Sequence, residues 1–160
     1  MTMRNPYQRK AASNAAQKNS SATDQYRIFI ESIVQQAKVY ALYQEGWALC
    51  ATPSGQQTLA VWQSKSLAQL LQKGNWGNYQ VEGIDLIEFI EKMIPFIREN
   101  GKILSINLTP EGQNVLVSGD KFLIDLKKYL YSVQLTTPDV FKSGLVPLPR
   151  KIRIHEKISS

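Results

Sequence analysis

An α+β fold is predicted: a small, mostly antiparallel sheet, built as a three-stranded meander plus a second hairpin, packed against about four helices. Three observations predict it. Apolar residues of segment 24–37 recur with a helical period, whereas those of 39–62 fall in short β-branched and aromatic runs separated by turn residues. A second pair of short runs flanks Thr109-Pro110-Glu111-Gly112-Gln113. A last helical pattern opens after Ser118, a capping residue.

The elements follow in order. Thr23 or Asp24 caps a first helix whose stripe is Tyr26, Phe29, Ile30, Ile33, Val34 and Ala37. Val39 to Tyr43 reads as a strand. Gln44-Glu45-Gly46 is a connection of hairpin length, and Trp47 to Ala51 returns with Trp47, Leu49 and Ala51 on one face. Thr52-Pro53-Ser54-Gly55 is turn chemistry, and Thr58 to Trp62 closes the meander. Ser64 caps a short helix over 65–73, with Leu67, Ala68, Leu70 and Leu71 inward and Gly74 at its end. An irregular Gly/aromatic link, 74–79, leads to an edge strand, Gln80 to Ile84. Asp85 followed by Glu88 reads as a capping box for a helix to Glu99, which Pro95 must kink or divide. Lys102 to Leu108 and Asn114 to Val117 form the second hairpin. The last helix runs from about Asp120 to Tyr131, with Phe122, Leu123, Leu126 and Leu130 inward.

The length of 160 residues fits one domain with two tails. Residues 1–22 are expected to be a disordered basic N-terminal tail, 23–133 a single α+β domain, and 134–160 an extended, Pro-containing basic C-terminal tail. The charge divides the same way: the net +6 comes from +4 in residues 1–23 and +3 in 134–160, with −1 between. The basicity therefore reads as a property of the tails and not of a domain face. No apolar run approaches the roughly 18 residues of a membrane span, and the N-terminal stretch has no apolar core of a signal peptide. Cys50 is the only cysteine, which excludes an internal disulfide and a cysteine zinc cluster. The cytoplasm is the expected compartment.

Candidate chemistry is sparse. Cys50 and His155 are the only thiol–imidazole pair, but Cys50 reads as a strand residue and His155 lies in the tail, so an inert thiol is expected. Glu82, Asp85, Glu88 and Glu91 cluster in sequence and read as a cap and a solvated helix face, not a metal site. No phosphate-cradling glycine signature is present. No catalytic residue, metal or cofactor is expected, and the chain reads as a non-enzyme. Trp47, Trp62 and Trp76 lack the interleaved cations of a single-strand stacking platform. They read either as core or as aromatic anchors of an interface. In the tail, Pro147 and Pro149 pre-set extended chain, Ile152 and Ile154 offer one apolar edge, and Arg150, Lys151 and Arg153 offer charge. That segment is either a solubilising end or a docking segment.

The run Gly46-Trp47-Ala48, the pairs Val61-Trp62 and Leu67-Ala68, and Gly74, Trp76 and Tyr79 have a characteristic spacing. Ile84-Asp85-Leu86 with Phe89, then Pro110 and Gly112, continue it. In these residues the block from about Val39 to Leu126 resembles a small bacterial family known as domain of unknown function 2750. The resemblance implies a compact α+β fold; it carries no function, because the family has none assigned, and both tails lie outside it.

The leading expectation is a non-enzymatic protein-interaction module, of adaptor, inhibitor or immunity-like kind, whose basic tails help dock a protein partner. The alternative is a nucleic-acid or ribonucleoprotein accessory that binds phosphates through the tails. The oligomeric state is left open.

Overall fold

A computed structural model describes residues 22–154. Residues 1–21 of the expected N-terminal tail and His155 lie outside the described residues, as do the expectations placed on them, whereas residue 22, expected in that tail, opens the first helix. Helix α1 covers residues 22–36 and buries Phe29, Ile30, Ile33 and Val34. It ends at Ala37, buried and left-handed at φ 54, with its N–H on the Val34 carbonyl at 3.2 Å. Glycine usually takes this position because it has no Cβ to strain. The sharp exit lets strand β1, Lys38–Tyr43, begin at the next residue.

Strand β1 pairs antiparallel with β4, Gln80–Asp85, over all six of its residues. On its other edge, Tyr40 and Trp62 exchange backbone hydrogen bonds of 2.9 and 2.8 Å, and the Ala48 N–H reaches the Leu42 carbonyl at 2.9 Å. The expected meander thus forms with a break: β1 meets the end of β3, Gln57–Val61, before it meets the approach to β2, Leu49–Ala51. A four-stranded sheet follows in the order β2-β3-β5-β6, with β5 Ile103–Ile106 and β6 Val115–Val117. Its β3–β5 pair is parallel; this pairing and that of β1 with β4 are absent from the sequence reading. Parallel neighbours need a long crossover, and here it contains α2 (Lys65–Gln69), β4, and the helical stretch 86–99.

Two serines cap as expected: Ser64 Oγ accepts from the Leu67 N–H at 3.2 Å and Ser118 Oγ from the Lys121 N–H at 3.1 Å. The capping box at Asp85 does not form. Asp85 is still the last residue of β4, opposite Lys38, and its carboxylate accepts from Lys38 Nζ at 3.1 Å. The first N–H of α3, Leu86–Glu88, is satisfied by the Ala37 carbonyl at 2.9 Å. Pro95 divides the stretch as expected. A π-helical turn at Phe89–Met93 separates α3 from α4, Ile94–Glu99, so the residue without an N–H falls in the first turn of α4.

The sheet separates two cores. One face packs Leu59, Val61, Leu104 and Ile106 against α1, the 86–99 stretch and α5, Gly119–Thr136. The other carries the smaller cluster of Leu42, Ala48, Ala60, Trp62 and Ala68, covered by α2 and the aromatic link. Helix α5 runs one turn past its expected end at Tyr131.

The expected boundary at residue 133 is corrected. After α5 the chain makes a 3-10 turn at Pro138–Ser143, reverses at Gly144 (φ 78) and packs back. Val146 and Ile152 enter the helix-side core, and Pro149 is buried at the start of a second 3-10 turn, Pro149–Lys151. The segment 138–154 is a strap on the domain and not an extended tail, because its alternate apolar residues find their cover on α5 and its neighbours. Among the described residues no helix is long and apolar enough to cross a membrane.

Candidate functional site

Of the expected site residues, Trp62 and Trp76 pack together, but the set does not form one site. Trp62 is 0 % exposed, and its indole N–H donates to the Leu108 carbonyl at 2.9 Å. It packs edge-on against Trp76, ring centres 6.3 Å apart, which makes it core. Half-buried Trp76 also meets Tyr79 and belongs to the small cluster, whereas Trp47 packs edge-on against Tyr43 at 4.8 Å and leans on the helix-side core. A single aromatic patch of the three is therefore not formed.

Cys50 is half-buried, with its sulfur 3.2 Å from Thr58 Oγ1. It lines an open depression of about 470 Å³ with Leu49, Leu71, Lys73, Trp76 and Pro110. Of the four clustered acids, Asp85 faces Lys38, while Glu82, Glu88 and Glu91 are exposed. Among the described residues no three His, Cys, Asp or Glu side chains converge as metal ligands. Glu91, on the π-helical turn, faces a cleft of about 240 Å³ closed on its far side by Val146, Leu148 and Lys151 of the strap.

The C-terminal residues are placed otherwise than expected. Ile152 is 1 % exposed and Ile154 is half-buried against the same core, so neither offers an edge to a partner strand. The alternation is real, but its apolar side faces this chain. Its other side leaves Arg150, Lys151 and Arg153 exposed. Their positions are set by Pro149 and Ile152 below them, by the Lys151 N–H on Leu148 O at 2.9 Å, and by the Ile152 N–H on Pro149 O at 3.1 Å. Lys127 of α5 fastens the strap by donating from Nζ to the Ile152 carbonyl at 2.9 Å.

Beside the strap, α5 shows a second apolar stripe. Ile124, Tyr131 and Leu135 are exposed, Leu135 by 86 %. Spacings of seven and four place them within about 40° of one another around the helix and along about 16 Å of its length. Lys127 and Lys128 border the stripe on its two sides, Lys127 towards the strap. Residues 119–154 hold seven Lys and Arg against three Asp, net +4, whereas 22–118 hold seven against nine, net −2. The basic charge at this end belongs to a folded face, which corrects its assignment to a free tail. Lys128, Arg150, Lys151 and Arg153 have no ion pair among the described residues.

The stripe was missed in the sequence because the helix was ended at Tyr131, which left Leu135 outside it. The signal was present: after the inward set of Phe122, Leu123, Leu126 and Leu130 is removed, Ile124 and Tyr131 remain at heptad spacing.

The far side of α5 is clamped to α1. Tyr26 donates to Asp125 Oδ2 at 2.7 Å, and Lys121 Nζ lies 2.9 Å from the same oxygen and 5.9 Å from the Tyr26 ring. Burial, and then the bond to Asp125, push the Tyr26 phenol well above its ordinary range. Burial and the charge of Glu31 raise Tyr129 in the same direction.

A family model described as "Protein of unknown function (DUF2750)" matches residues 26–126. The match runs from α1 into α5, so Tyr131, Leu135 and the strap lie beyond it. Comparison with curated proteins and with solved structures gives no match.

Proposed function

The chain belongs to the DUF2750 family, described as of unknown function, and from that premise we propose that it is a non-enzymatic, cytoplasmic protein-interaction module that docks a partner through the face formed by α5 and the strap. The observation that carries this reading is the fixed register of Arg150, Lys151 and Arg153 above buried Pro149 and Ile152. Cations on a preset backbone lose little backbone freedom on binding, and Arg suits bidentate pairing with carboxylates. Beside them, Tyr131 supplies an exposed aromatic of the kind that anchors interfaces. Cys50, the single thiol, spends its contact on a threonine hydroxyl, which supports a structural role.

A nucleic-acid accessory is the second reading, favoured by Lys128, Arg150, Lys151 and Arg153 of this face, which have no ion pair among the described residues. Affinity capture with the full chain, with and without nuclease, separates the two. We expect a nuclease-resistant protein partner whose recovery falls when Arg150, Lys151 and Arg153 are all changed to Ala, with the melting temperature unchanged. Loss of every partner on nuclease treatment supports the second reading. Undiminished recovery with the triple variant overturns docking through the strap.

A further inference from the structure

Resting on that docking reading, we infer that the partner's docking element is an acidic amphipathic helix of about three turns. The exposed stripe of Ile124, Tyr131 and Leu135 is as long as three helical turns and one side chain wide. That is the footprint of a helix packed along α5, which meets it with apolar residues three and four apart. Lys127 and Lys128 border the stripe, and Arg150, Lys151 and Arg153 extend the charge along the strap side. Acidic residues flanking the apolar side of the facing helix complement both borders.

The same charge argues against occupants from this chain. A second copy laid face to face would oppose cation to cation. Residues 1–21 carry Arg4, Arg9, Lys10 and Lys18 and no acid, so they repel this face also. A phosphate backbone would neutralise the cations but leave three large apolar side chains with nothing to bury against. A lipid surface would have to take its apolar contact from those three side chains alone, since the wide apolar face of α5 is committed to the core.

The test uses the full chain and a stapled helical peptide of about 14 residues with Leu at i, i+4, i+7 and i+11 and Glu on both flanks. Controls are a scrambled peptide of the same composition, vesicles of phosphatidylcholine and phosphatidylserine, and a short DNA duplex. The amphipathic peptide is expected to bind at least tenfold tighter than the scrambled one and to shift amide signals of α5 and residues 148–153. Tyr131→Ser with Leu135→Ser is expected to weaken it tenfold or more without moving the melting temperature. Equal binding of the scrambled peptide overturns the inference, as does tighter binding of vesicles or DNA that the peptide cannot displace. Failure here is distinguishable from failure of the docking reading. A captured protein that needs Arg150 and Arg153 but is indifferent to Tyr131 and Leu135 removes the helix and keeps the docking face. Indifference to the cations removes both.

Discussion

Lys127 Nζ and the carbonyl oxygen of Ile152 lie 2.9 Å apart, and this bond ties the C-terminal strap to the helix it covers. Directly beneath it the Ile152 side chain is buried with Leu126 and Leu130 in the helix-side core. The strap is thereby part of the domain.

Ile152→Ala should destabilise the protein by about 2–4 kcal/mol, the range for losing most of a buried aliphatic side chain. A chain ended after Thr136 should lose more, since Val146, Pro149 and Ile152 leave together and uncover α5. Urea denaturation measures both. A chain ended after Thr136 with an unchanged midpoint would return the strap to the role of a tail.

Trp62→Ala should cost about 3–5 kcal/mol, because the largest fully buried side chain is removed from between β1 and the aromatic link. Trp62→Phe keeps much of the packing but leaves the Leu108 carbonyl without its donor, for about 1–3 kcal/mol. Equal losses for the two variants would mean that the indole N–H, and not the ring volume, sets the stability of this face.

The legible parts of the fold were those fixed within a few residues. Ser64 and Ser118 each cap an N–H three residues ahead, so a local pattern suffices to find them. Asp85 carries the same local signal, but the β1–β4 register brings Lys38 opposite it, and the ion pair takes the carboxylate. The parallel β3–β5 pair joins segments some forty residues apart and leaves no local mark. The alternation of Ile152 and Ile154 announced one buried edge. It could not say that the cover lies on α5 of the same chain, which is why the candidate site moved from the apolar edge to the cations between.

Gly83→Val should disrupt the β1–β4 pair. A Cβ at Gly83 would lie 3.2 Å from the Tyr40 ring and 3.0 Å from Lys38 Cδ, and because the Tyr40 backbone is held by its bonds to Trp62, the ring itself must turn aside. The expected loss is about 1–3 kcal/mol, the usual cost of overpacking. Gly83→Val with Tyr40→Ala should recover part of it. Failure of the double variant to improve on Gly83→Val would place the strain elsewhere.

The Tyr26–Asp125 bond should make stability fall at alkaline pH. The phenol is raised above its unfolded value, so the folded state favours its protonated form. The stabilisation is fully present below the unfolded value, about 10, and is lost as pH rises beyond it towards the folded value. Tyr129 is raised too and adds to the same slope. Because Tyr129 contributes to the same slope, the wild-type curve alone does not isolate the Tyr26 phenol. Tyr26→Phe does. It should cost about 1–2 kcal/mol near pH 7 through the lost hydrogen bond to a charged group and then fall less steeply than wild type between pH 9 and 11. Denaturation midpoints at half-unit pH intervals measure this, and parallel curves for the two proteins would overturn it.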